Sequence, residues 1–91
     1  MMKILASAEF AQWLSSLPPH PKKRVRLALR KLQKGQGDIK ALQGSLEGFC
    51  RLRVGGMRII YRYKGAKTVY LEYGNTRDAV YEIFQQHLGK R

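Results

Sequence analysis

The chain has 91 residues, with 18 Lys and Arg against 6 Asp and Glu, a formal net charge of +12. That length supports one domain over residues 1–91 with a small core. The apolar content of 44%, with one Trp, five Tyr and three Phe, separates the chain from disordered basic tails.

Lys3-Ile4-Leu5-Ala6 reads as an initial edge strand, and Ser7 as the N-cap of a helix. Phe10, Trp13, Leu14 and Leu17 fall at i, i+3, i+4 and i+7, one face of that helix. Pro18-Pro19 and Pro21 end it in a rigid turn. A second helix is predicted from Pro21 or Lys22, with Val25, Ala28, Leu29 and Leu32 as its buried stripe and Gly35 and Gly37 as its stop. Residues 38–48 read as a connector with a turn of helix around Ile39-Lys40-Ala41-Leu42. The period then changes to two. Phe49–Val54 is a strand, Gly55-Gly56 a tight turn, Met57–Tyr63 a second strand, residues 64–67 a turn and Thr68–Tyr73 a third strand. Gly74-Asn75-Thr76 is expected to break it before a helix over residues 77–88, with Val80, Phe84 and Leu88 on one face. The order β-α-α-β-β-β-α predicts an α+β domain in which an N-terminal strand and αα-hairpin pack on an antiparallel meander, the helices covering one face.

A large positive excess repels itself in a compact fold, so a polyanion or an acidic partner is expected. The charge lies in two stretches. The second helix carries Lys22, Lys23, Arg24, Arg26, Arg30, Lys31 and Lys34 without an acid. That face is either simply solvated or a source of sequence-neutral attraction to phosphates, in which Lys22, Lys23, Arg26, Arg30 and Lys34 would contact RNA. The hairpin carries Arg51, Arg53, Arg58, Arg62, Lys64 and Lys67, with no acid between Glu47 and Glu72. Alternation puts Arg51 and Arg53 on one face and Cys50, Leu52 and Val54 on the core side, and the tight turn brings Arg58 beside Arg53. Opposed like charges destabilise a sheet. The cluster therefore reads as a phosphate site, or else as charge that protects a sheet edge.

The lone Cys50 excludes an internal disulfide framework and reads as core-facing and inert. His20 is expected in the proline-rich turn and His87 on a helix surface, which leaves neither a histidine pair for nuclease chemistry nor a structural zinc site. No cofactor is expected. No run approaches the ~20 apolar residues of a membrane span and Met1–Glu9 has no apolar leader core, so a soluble cytosolic protein without membrane contact is expected. RNA cleavage needs no histidine in principle. The 2′-OH is the nucleophile, preorganised arginines stabilise the phosphorane, and a tyrosine can take part in proton transfer. Tyr81, four residues after Arg77, is a candidate; the other reading is an aromatic packed on the sheet.

Leu42-Gln43-Gly44 followed by Phe49-Cys50-Arg51-Leu52-Arg53-Val54-Gly55-Gly56-Met57-Arg58-Ile59-Ile60-Tyr61 resembles the central hairpin of RelE/ParE-superfamily toxins of bacterial toxin–antitoxin systems. Ser16-Leu17-Pro18 and the Gly-x-x-Arg-x-x-x-Tyr segment from Gly74 to Tyr81 are similar to that family too. The resemblance implies a RelE-like, microbial-RNase-like α+β fold. In the RelE branch it implies a metal-independent endoribonuclease cutting mRNA in the ribosomal A site. By position it implies phosphate-binding roles for Arg51, Arg53 and Arg58, a further site arginine in Arg77 and proton transfer or base stacking for Tyr81. Where the family often has Gly-His-Arg-Arg, this chain has Gly74-Asn75-Thr76-Arg77, so no histidine base is implied and more of the chemistry falls on Tyr81. The resemblance also implies a cognate acidic antitoxin, and contact with mRNA and ribosomal RNA. A ParE-type gyrase inhibitor and an inactive RNA-binding relic are the other readings of the same fold.

Overall fold

The elements run β1 (Lys3–Ala6), α1 (Ala8–Ser16), α2 (Pro19–Leu32), β2 (Asp38–Ala41), a 3-10 turn (Gly44–Leu46), β3 (Cys50–Val54), β4 (Met57–Tyr63), β5 (Thr68–Thr76) and α3 (Ala79–Gly89). The computed structural model describes residues 1–76 and 79–89. One sheet has the order β1-β5-β4-β3-β2. Strands β2 to β5 form the expected antiparallel meander, and β1 adds to its far edge parallel to β5.

Ser7 begins α1 as predicted. Its Oγ accepts from the Phe10 amide at 3.0 Å and donates to the Glu72 carbonyl at 2.7 Å, so one buried hydroxyl both caps the helix and ties it to β5. Helix α2 begins at Pro19, two residues before the predicted start, because a proline in the first turn lacks only an N–H that has no intrahelical acceptor. His20 therefore lies on the first turn of α2, exposed, and not in the connecting turn.

Three other expectations are corrected. The helical turn around Ile39-Lys40-Ala41-Leu42 is strand β2. Ile39 packs on the main core while Asp38 and Lys40 pair with Arg53 and Arg51, a period of two that a four-residue stretch does not separate from a helical one. Gly74-Asn75-Thr76 continues β5 instead of breaking it. A Cβ at Gly74 would lie 2.3 Å from the Trp13 ring, so the glycine is there to let α1 lay its indole against the strand. The helices also do not share one face. Helices α1 and α2 cover a core containing Phe10, Val25, Leu32, Leu52, Ile59, Tyr61 and Leu71, whereas α3 packs on the opposite face through Val80 and Phe84 against Ile60 and Leu46.

Ile60 pairs with Tyr73 but Tyr61 with Leu71, a β-bulge that leaves Glu72 without an opposite residue. The Glu72 side chain is fully buried and accepts from Arg62 Nε at 2.5 Å, while the Arg62 guanidinium also lies 5.2 Å from the Tyr70 ring.

Replacing Gly74 by Ala forces a methyl into the rigid Trp13 ring, and overpacking of this kind costs about 1–3 kcal/mol. The melting temperature should fall by roughly 4–8 °C for each kcal/mol in a domain of this size. Thermal unfolding followed by circular dichroism measures it; an unchanged melting temperature would show that the indole is free to move aside.

Candidate RNA-binding cleft

The face of the sheet that carries α3 is only partly covered. Beyond Ile60, the β3–β4 ladder sets Arg51 opposite Ile60 and Arg53 opposite Arg58. The turn between them has two residues, of which Gly55 has a positive φ of 59° and Gly56 does not, the pattern of a type II′ hairpin. This turn fixes the Val54–Met57 pairing, which places Val54, Met57, Leu52 and Ile59 in the core and all three arginines on the other side.

The arginines line an open cleft of about 820 Å³ with Lys40, Gln43, Ser45, Tyr81 and Gln85. Arg51 is the most enclosed, with its side chain 11% exposed. Its Nη2 donates to Asp38 at 3.3 Å, and its buried Nε has no hydrogen-bond acceptor among the described residues. Arg53 Nε and Arg58 Nη1 both donate to the Gly55 carbonyl at 3.4 Å, so one turn oxygen gathers two guanidinium groups. Tyr81 and Gln85, one turn apart on α3, form the opposite wall. Phe84 anchors that helix, meeting Phe49 edge-on at 5.1 Å and Tyr73 in a stack at 6.2 Å. Gln85 Nε2 donates to Ser45 Oγ at 2.6 Å and ties the helix to the 3-10 turn.

Of the sequence-predicted site residues, Arg51, Arg53, Arg58 and Tyr81 thus share one cleft. Arg77 lies outside the described residues. Arg62 is not in the cleft: it was expected to contact RNA, but its guanidinium is engaged by the buried Glu72 carboxylate. Lys22, Lys23, Arg26 and Arg30 line a separate shallow groove on α2, across the sheet from the arginine cleft, and Lys34 borders a depression near Met1 and Met2. Sequence reasoning missed Lys40, Gln43, Ser45 and Gln85. The i+4 spacing from Tyr81 was a usable signal for Gln85, and Lys40 would have followed from reading β2 as a strand.

The cleft offers fixed cationic donors, amide groups and one phenol. Among the described residues no group of three or more His, Cys, Asp or Glu converges to hold a metal ion. His87 lies on α3 as expected, with its Nε2 3.5 Å from Glu9 on α1 and away from the cleft. Tyr61 is no alternative to Tyr81, since its hydroxyl is buried in the main core and burial, with Tyr63 and Cys50 beside it, pushes its pKa far up. Cys50 is half-buried against the same core.

No family model matches the sequence, and no curated protein matches it. Solved structures do. The RelE–RelB toxin–antitoxin complex from Methanococcus jannaschii contains a chain 27% identical, with a TM-score of 0.70 over 88% of this chain and 98% of that one. A chain of the archaeal RelE–RelB complex from Pyrococcus horikoshii OT3 is 22% identical with a TM-score of 0.67, covering 85% of this chain and 96% of its own. YafQ from E. coli strain BL21(DE3) is 18% identical with a TM-score of 0.69, covering 89% of this chain and 99% of its own.

Truncating Arg62 to Ala removes a charged hydrogen-bond donor from a buried carboxylate, which costs about 1.5–3 kcal/mol. We expect a lower melting temperature at neutral pH and an RNA affinity, measured on the folded fraction by fluorescence anisotropy, within about twofold of the unaltered protein. Loss of RNA affinity with unchanged stability would return Arg62 to the binding surface.

Proposed function

We propose that this chain, which belongs to the RelE-like toxin superfamily, is the toxin of a toxin–antitoxin pair and acts as an endoribonuclease on mRNA in the ribosomal A site. The observation that carries this reading is the convergence of Arg51, Arg53 and Arg58 from two paired strands on a cleft whose far wall is Tyr81. Such a cluster is costly in a protein built for stability alone and suits a bridging phosphate, whose charge grows as the phosphorane forms.

In this mechanism the 2′-oxygen attacks the adjacent phosphorus and the bond to the 5′ oxygen breaks. The products are a 2′,3′-cyclic phosphate and a free 5′-hydroxyl. The arginines bind the non-bridging oxygens and stabilise their charge. They stay protonated and so cannot accept the 2′ proton. Tyr81 is the cleft's phenol, the group for proton transfer at the reacting oxygens, exchanging with solvent. No metal or cofactor takes part. The protein works in the cytoplasm, and its cognate antitoxin is an acidic chain that covers this basic surface. Support comes from the net charge of +12 and from the antitoxin–toxin complexes among the similar structures.

Primer extension on mRNA in translating ribosomes tests the reading. The unaltered protein should produce discrete cuts. Arg58→Ala should reduce their rate by about 10²–10³, the usual effect of losing one transition-state donor. Tyr81→Phe should reduce it by about 10² or more. Absence of cutting by the unaltered protein, together with inhibition of DNA gyrase, would place it in the ParE-type class. Cutting unaffected by either substitution would move the site elsewhere.

A further inference from the structure

The arginine cleft does not end at the hairpin tip. Arg53 lines it and also lines a second groove of about 340 Å³ on the opposite side of the tip, between α2 and β3. Arg24 and Lys31 face into that groove from α2, two turns apart. Arg24 reaches the tip itself: a Cβ on Gly55 would lie 2.5 Å from its Nη2. One glycine thus has the Arg24 guanidinium packed against it and the Arg53 and Arg58 guanidiniums on its carbonyl. Among the described residues, Arg24, Lys31 and Arg53 form no ion pair. Among the described residues Asp38 is the only carboxylate lining the groove, and it pairs with Arg51 at 3.3 Å.

We propose that the groove between α2 and β3 is a second phosphate track, in which Arg24 and Lys31 hold the backbone of the RNA strand that leaves the arginine cleft around the Gly55 tip. Among the described residues the groove has no aromatic side chain in its lining, so it grips the backbone without stacking bases and adds affinity without sequence preference. The residues that extend the cleft are therefore not those of the outer face of α2, Lys22, Lys23, Arg26 and Arg30, which line a different groove. The inference rests on the proposed RNA reading of the cleft and adds to it the path of the flanking strand.

Fluorescence anisotropy with non-cleavable 2′-O-methyl oligouridylates of two lengths, a trinucleotide and a dodecanucleotide, tests it over a series of salt concentrations. For the dodecanucleotide, the double variant Arg24→Gln/Lys31→Gln should lose about tenfold in affinity. The slope of log affinity against log salt should shrink by about 1.4, the value for two lost single-strand phosphate contacts. Trinucleotide binding should be unchanged. A Lys23→Gln/Arg30→Gln variant of equal charge should lose less than a third of that effect, which separates a track from general attraction. Equal losses for both pairs, or no loss, would overturn the proposal. So would a poly-glutamate that displaces the dodecanucleotide with the same dependence on Arg24 and Lys31, since the groove would then fit an acidic polypeptide. If neither length depends on Arg58, the RNA reading of the cleft itself fails; if both depend on Arg58 and only the Arg24/Lys31 effect is absent, the track alone fails.

Discussion

The two-residue turn at Gly55-Gly56 pairs Val54 with Met57 and, one step on, Arg53 with Arg58. A slip of one residue would send the guanidinium groups into the core and Leu52 and Ile59 into water. The repulsion between Arg53 and Arg58 opposes this register, and at the surface two such charges a few ångströms apart cost about 1–4 kcal/mol. The opposite face outweighs it. Leu52, Val54, Met57 and Ile59 are all buried there, and each contributes about 1.5–3 kcal/mol. The core side of the hairpin thus holds together a charge arrangement that the other side would not choose.

The two faces of the sheet divide the work. The larger core, under α1 and α2, fixes the strands, with the buried Ser7 hydroxyl and the Trp13–Gly74 contact locking α1 to β5. The smaller cluster around Phe84 suspends α3 so that Tyr81 and Gln85 overlook the arginines. The bulge at Glu72 adds a buried carboxylate that engages Arg62 outside the arginine cleft. Much of the positive charge therefore separates by position into a cleft, an ion pair at Glu72 and the two sides of α2.

What the sequence makes legible is what local rules govern. Alternation across Cys50–Val54, the glycine pair and the spacing of Phe10, Trp13 and Leu14 each imply their own structure, and Arg51, Arg53 and Arg58 follow from the first two. What depends on distant contacts is hidden. Gly74 looks like a breaker until the Trp13 ring is seen against it. Asp38–Ala41 is too short to show its period, so Lys40 goes unnoticed. Arg24 looks like one charge among many on α2 until the hairpin tip is folded against it. Arg62 sits in the same alternating hairpin as the cleft arginines, and only the bulge, a feature of β5, reveals its different role.

In the proposed mechanism the cleft presents a phosphate to its own neighbouring 2′-hydroxyl. The direct measurement uses ribosomes programmed with an mRNA carrying a single 2′-deoxy nucleotide on the 5′ side of a mapped cut. Cutting at that bond should vanish while binding and cuts at other positions persist, and the cuts on unmodified RNA should end in 2′,3′-cyclic phosphate. Cutting that continues at the 2′-deoxy position would rule out attack by the 2′-hydroxyl, because the nucleophile would then have to be water or a protein side chain.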